Sequence, residues 1–202
     1  MSIQIVLADD EGLIRDAVAT LLGLEEDLEV VAQAGTGPEA LALVRTHRPD
    51  VAILDLQMPG LDGIEVAQQI ILDGGGCACV IVTSHGRPGY LKRALEVGVA
   101  GFLGKTASAK VLADTVRHVV SGGRYVDPEL AAEAISAGAS PLTPREADVL
   151  ELAADGAPVE EIAQRARLSP GTVRNYLSSA AGKLHATNRH EAARTARARG
   201  WI

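Results

Sequence analysis

The chain has 202 residues, a formal net charge of −7, 47% hydrophobic residues and five aromatics, Phe102, Tyr90, Tyr125, Tyr176 and Trp201. That length suits one large domain or two small ones, and the core must be aliphatic. Too few rings remain to build a platform on which the bases of a single strand could stack. The acidic balance argues against a phosphate-rich partner until it is divided along the chain. Cys77 and Cys79, two residues apart, are too few and too close to staple the fold and read as reduced core thiols. No apolar run approaches the roughly 20 residues of a membrane span. Met1 to Ala8 lead straight into an acidic pair rather than through a signal-peptide pattern. A cytoplasmic location is the expectation.

Between Ile3 and about Val120, short β-branched runs alternate with amphipathic stretches of helical length, as βαβ units around a parallel sheet do. Strands are predicted at Ile3–Ala8, Glu29–Ala34, Val51–Leu54, Val80–Val82 and Gly101–Leu103. Helices are predicted at Ile14–Leu22, Pro38–Arg45, Gly63–Ile71, Gly89–Val97 and Ala107–Val120. Near-continuous apolar runs in the first, third and fourth strands fit a five-stranded, doubly wound parallel sheet buried on both faces. This first domain is expected to span residues 1–121. Two Gly/Pro clusters around a weakly helical piece mark residues 122–140 as a linker.

Beyond the linker there is no strand signal, and residues 141–202 are expected to form an all-α domain of four helices. Thr143-Pro144-Arg145-Glu146 opens the first with a cap, a proline at the first helical position and a glutamate at the third. Gly156 ends it. A second helix covers Val159–Ala166, Ser169-Pro170 opens a third that reaches Leu184, and Asn188 caps a fourth running to about Arg199.

In an open parallel sheet, functional groups collect at the carboxyl edge of the strands. Asp9 and Asp10 follow strand one, Asp55 strand three, Thr83 strand four and Lys105 strand five, so the fold brings all five to one edge. Crowded carboxylates repel one another and favour a cation, and oxygen ligands with retained waters suit Mg²⁺ better than Zn²⁺. Polar residues at strand ends are ordinary singly; this combination is not.

The segments Leu7-Ala8-Asp9-Asp10-Glu11, Leu54-Asp55 through Asp62-Gly63, Val82-Thr83-Ser84 and Gly101-Phe102-Leu103-Gly104-Lys105 resemble the flavodoxin-like receiver domain of bacterial two-component response regulators. The resemblance implies that Asp55 accepts a phosphoryl group from a sensor histidine kinase. It also implies that Asp9, Asp10, Asp55 and the backbone carbonyl of Gln57 hold Mg²⁺, that Lys105 and Thr83 assist, and that Thr83 and Phe102 form a switch pair. Such a domain acts on its own phosphorylation and is not an enzyme with an external substrate. Thr106 stands where many receivers have proline. Aspartyl phosphohydrolases resembling the haloacid dehalogenases are the enzymatic alternative, but the second Asp of their Asp-x-Asp pattern is here Gln57, leaving no general acid. His85, just past Thr83, and Gln57 are candidates for tuning the phosphoryl lifetime.

Divided along the chain, residues 1–138 carry a net charge of −9 and residues 139–202 a net of +2, while the window 162–202 alone carries +7. A local basic surface can neutralise DNA phosphates whatever the rest of the molecule carries. Ile162, Ala163, Leu168, Val173, Leu177 and Leu184 recur at helical spacing. They leave Thr172, Arg174, Asn175, Ser178 and Ser179 on the exposed face of the third helix, where Arg and Asn suit the edges of guanine and adenine.

Leu142-Thr143-Pro144-Arg145-Glu146, Glu161-Ile162-Ala163, Leu168 through Leu177, Lys183-Leu184 and Asn188-Arg189 resemble the LuxR-type helix-turn-helix DNA-binding domain. With the receiver they define the NarL/FixJ family, and Arg-Pro-Gly-Tyr at 87–90 and the terminal Gly-Trp resemble its DesR-like members. The resemblance places Arg174, Asn175 and Ser178 toward bases and Thr172, Tyr176, Lys183 and Arg189 near phosphates. It implies double-stranded promoter DNA as partner and a homodimer on phosphorylation; the last helix, whose small Ala192, Ala193 and Ala196 would permit close helix approach, resembles the family's dimer helix, a core-packing helix being the alternative. The alternative is a receiver whose helical domain binds protein rather than DNA.

Overall fold

The computed structural model describes residues 2–84, 88–138 and 140–202, the side chains of Pro88 and Ala137 excepted. His85 and Arg87, both singled out in the sequence, lie outside the described residues. Among the described residues the chain divides into two units, 2–84 with 91–130 and 88–90 with 131–202.

In the first unit the strands are β1 (Ile3–Ala8), β2 (Leu28–Ala34), β3 (Val51–Asp55), β4 (Ala78–Thr83), β5 (Gly101–Gly104) and β6 (Tyr125–Val126). The helices are α1 (Gly12–Leu22), α2 (Gly37–His47), α3 (Gly63–Leu72), α4 (Pro88–Val97, of which 91–97 belong to this unit) and α5 (Ala109–Val120). The sheet order is β2-β1-β3-β4-β5-β6, and every pairing is parallel. Among the described residues the sheet has six strands in place of the expected five. The sixth lies within the expected linker, where Tyr125 N–H donates to Ala100 O at 2.9 Å and Asp127 N–H to Phe102 O at 2.9 Å. A two-residue strand is too short for alternation to reveal, and its pairing comes from the free edge of β5.

Alternation along the central strands sends side chains to two faces. Ile5, Leu7, Val51, Ile53, Val80 and Leu103 join Leu22 of α1 and Leu112, Ala113, Val116 and Val119 of α5 in one apolar cluster. Val6, Ala8, Ala52, Leu54, Ile81 and Phe102, the intervening positions, are also buried. Both faces are therefore covered, as the continuous apolar runs require. Strand order reverses beside β1, whose neighbours are β2 and β3, so the crevice of a doubly wound sheet opens between the ends of β1 and β3. Gly63 permits the start of α3 to close on that edge: a Cβ there would stand 2.2 Å from Asp55 O.

The second unit contains α7 (Pro144–Ala154), α8 (Val159–Ala166), α9 (Pro170–Lys183) and α10 (Arg189–Ala198); α6 (Pro128–Ala137) precedes them, spanning the boundary. The capping box at Thr143 and Glu146 is formed in both directions, and Ser169 and Asn188 cap α9 and α10. Val149, Leu150, Ile162, Val173, Leu177, Ala180, Ala192 and Ala196 form the aliphatic core, with Trp201 packed at its margin.

Candidate functional site

The carboxyl ends of β1, β3, β4 and β5 bring the acidic constellation together. Asp9 follows β1 and Asp55 ends β3; both are buried, as is Thr83 at the end of β4, whereas Asp10 is exposed. One carboxylate oxygen from each of Asp9, Asp10 and Asp55 lies within 4.8 Å of the other two. Lys105 Nζ reaches into the group, 2.9 Å from Asp9 Oδ2, 3.2 Å from Asp55 Oδ2 and 3.2 Å from Glu11 Oε1. Gln57 is exposed, immediately beyond Leu56. Glu11, the third acid of the run at 9–11, is a partner of Lys105 that the motif alone does not single out.

The electrostatics follow from crowding. Burial pushes the Asp55 carboxyl up to about 6; Lys105 opposes the rise, and Asp9 and Asp10 add to it. Burial also works against the Lys105 charge, but hydrogen bonds and attraction from Asp9, Asp55 and Glu11 outweigh it and raise its pKa. One ammonium therefore faces four carboxylates. The remaining negative charge calls for a proton or a cation, and the donors are hard oxygens. Three carboxylate oxygens gathered within 4.8 Å of one another are the kind of hard donor set that Mg²⁺ takes. The exposed Asp10 leaves one side of the cluster open to water, as an ion that keeps part of its hydration shell would need. The residues fit the ion.

Thr83 pairs with Gly104 and Ile81 with Phe102 across β4 and β5. Thr83 and Ile81 are two residues apart, so Thr83 and Phe102 lie on the same face of the sheet. The Phe102 ring is fully buried. On the other face a cavity of about 170 Å³ adjoins Asp9, Asp55 and Lys105 and is walled by α1 and α5 residues including Ile14, Val18, Leu22 and Leu112.

In the second unit, Val173 and Leu177 hold α9 by its inner face. Arg174, Asn175 and Ser178 are exposed on the outer face, with Thr172, Tyr176 and Arg189 half-buried. Lys183 Nζ lies 2.7 Å from Glu146 Oε2, and Ser179 Oγ donates to Glu146 Oε1 at 2.6 Å. Glu146 was legible as a helix cap, not as a buried carboxylate holding α9. Arg174 Nη2 stands 3.2 Å from Glu160 Oε1.

The window that gave +7 left out acids just upstream of it. Arg165 pairs with Glu161, Arg174 with Glu160, Lys183 with Glu146 and Arg197 with Asp155. The basic surface is consequently milder than the count implied. A correction also applies to α10: Ala192, Ala193 and Ala196 are buried in the core of their own unit. Their small size serves packing against α7 and α9, so they are not exposed small residues open to close approach by another helix.

Residues 5–117 match the response regulator receiver domain, and residues 140–196 match the bacterial regulatory proteins of the luxR family. The chain belongs to the two-component response regulators. This regulator is 43% identical to the transcriptional regulatory protein DesR of Bacillus subtilis over 99% of both chains. It is 39% identical to the transcriptional regulatory protein UhpA of Escherichia coli over 95% of this chain and 96% of UhpA. Among solved structures it resembles response regulator ChrA of a heme-sensing two-component system, with a TM-score of 0.59, 30% identity and coverage of 100% of this chain and 99% of ChrA. The regulator thus joins a receiver to a LuxR-type DNA-binding domain and is a transcriptional regulator of the NarL type. Among its described residues no helix is long and apolar enough to cross a membrane.

Proposed function

We propose that Asp55 is the phosphoacceptor and that its modification controls promoter binding. The observation that carries this reading is the triple contact of Lys105 Nζ with Asp9, Glu11 and Asp55, which places a fixed cation beside a buried carboxylate at the switch point of the sheet. Asp55 Oδ attacks the phosphorus of a phosphohistidine on the sensor kinase. The P–N bond breaks, and its electron pair returns to the imidazole, which takes up a proton. Charge must be neutralised around the transferring group for a carboxylate to attack it. Lys105 supplies one positive charge, and Asp9, Asp10, Asp55 and the Gln57 carbonyl would hold Mg²⁺. When bound, that ion would supply further charge neutralisation around the transferring group.

The new group brings a charge of about −1.5 to −2 and three acceptor oxygens. The Thr83 hydroxyl turns toward it, and the space it leaves on the shared face of β4 and β5 admits a new position of the Phe102 ring. That state favours a homodimer, which presents two copies of α9 to half-sites of double-stranded promoter DNA in the cytoplasm. Arg174, Asn175 and Ser178 then face bases, and Thr172, Tyr176, Lys183 and Arg189 face phosphates.

Incubation with acetyl phosphate and Mg²⁺ followed by intact-mass measurement tests the first step. One phosphoryl group should be gained by the wild type and none by Asp55→Ala; a gain that survives the substitution would place the acceptor elsewhere.

A further inference from the structure

Glu160 lies in the first turn of α8 and Arg174 in the second turn of α9, 3.2 Å apart between Oε1 and Nη2, both well exposed. The neighbouring Glu161 makes the ordinary contact of an exposed helix, with Arg165 one turn on. Glu160 instead reaches across the turn between the two helices. An acid beside the principal cation of a DNA-facing helix works against affinity. It lowers the local positive potential and places a carboxylate next to incoming phosphates.

We propose that Glu160 is a specificity-determining residue that restrains and orients Arg174. The inference rests on the reading of α9 as the DNA-facing helix. A guanidinium has five N–H donors in a rigid plane, and the contact with Glu160 takes one hydrogen of Nη2; among the described residues the second Nη2 hydrogen is left to pair with a neighbouring N–H as a two-donor edge. On a duplex of arbitrary sequence, Arg174 offers little beyond a charge, and Glu160 already cancels most of it. Opposite a guanine, the held guanidinium presents its remaining donors as a fork to O6 and N7, and the gain is geometric as well as ionic. Glu160 therefore penalises non-specific binding more than specific binding.

The test uses the full chain treated with acetyl phosphate and Mg²⁺. Two duplexes of equal length serve as probes, one selected from a random pool by the wild-type protein and one of random sequence. Glu160→Gln should bind the random duplex roughly three- to tenfold more tightly, with a salt slope steeper by about 0.9, while the selected duplex gains less, so the ratio between them falls. In an Arg174→Ala background the same substitution should leave that ratio unchanged. An unchanged ratio for Glu160→Gln alone overturns the proposal, and so does a fall that persists without Arg174, which would mark a diffuse charge effect. If the wild type selects no duplex at all, the DNA-facing reading of α9 fails and the role of Glu160 falls with it.

Discussion

Lys183 Nζ stands 2.7 Å from Glu146 Oε2, tying the last turn of α9 to the third residue of α7. Glu146 is only 4% exposed, yet it accepts bonds from Lys183, Ser179 and the Thr143 backbone N–H. Burial opposes its ionisation, but those hydrogen bonds outweigh the cost and hold its carboxyl down at about 2. A carboxyl whose folded pKa lies below its unfolded value stabilises the fold above the unfolded pKa and loses that contribution as pH falls through the folded one. The C-terminal unit should therefore lose on the order of 2–3 kcal/mol between about pH 5 and pH 2. Trp201, the single tryptophan, packs against this unit's core and reports its unfolding by fluorescence. Denaturant titrations across that pH range should show the loss in wild type and little of it in Glu146→Gln.

At neutral pH, Glu146→Ala removes both the capping box and the partner of Lys183. We expect a destabilisation of about 2–3 kcal/mol, seen as a lower denaturation midpoint of the Trp201 signal. An unaltered midpoint would mean that solvent replaces these bonds without cost.

Lys105→Ala should leave Asp55 in place but abolish the fixed cation beside it. Loss of a preorganised charge at a reacting centre costs about 10²–10³ in rate. Phosphorylation by acetyl phosphate, followed by intact mass over time, should slow by about that factor. A rate within twofold of wild type would remove Lys105 from the chemistry.

Thr83→Ala should accept phosphate but transmit it poorly. The hydroxyl lies at the end of β4 on the same face of the sheet as the buried Phe102 ring, so its removal separates modification from response. The expected result is near-normal incorporation of phosphate with most of the phosphorylation-dependent gain in DNA affinity lost. A full gain in affinity would dissociate Thr83 from the switch.

Arg174→Ala should weaken binding to a duplex selected by the wild type by about 1–3 kcal/mol, measured by fluorescence anisotropy at fixed salt. Ser178→Ala, without a charge to lose, should act on sequence preference with little change in salt dependence.

Strand ends were legible because a parallel sheet buried on both faces writes its strands as apolar runs. The polar residue that terminates each run, Asp9, Asp55, Thr83 or Lys105, marks the edge where the site forms. Caps were legible for a similar reason: Thr143, Ser169 and Asn188 are local signals. Features that depend on contacts distant in sequence were not. β6 exists because β5 offers an unpaired edge, which no two-residue pattern reveals. The charge window beginning at Ile162 omitted Glu146, Asp155, Glu160 and Glu161, whose partners lie 4 to 42 residues away. The alanines of α10 have the small size suited to either a dimer contact or a core, and only the packing of α7 and α9 against them decides it.

The central claim is that phosphate on Asp55 governs binding by a helix in the other unit. The direct measurement is the affinity of the full chain for the selected duplex before and after treatment with acetyl phosphate and Mg²⁺, in wild type and in Asp55→Ala. Treatment should tighten binding tenfold or more in wild type and leave Asp55→Ala unchanged. Equal affinity before and after treatment of a protein shown by mass to be phosphorylated would contradict the account.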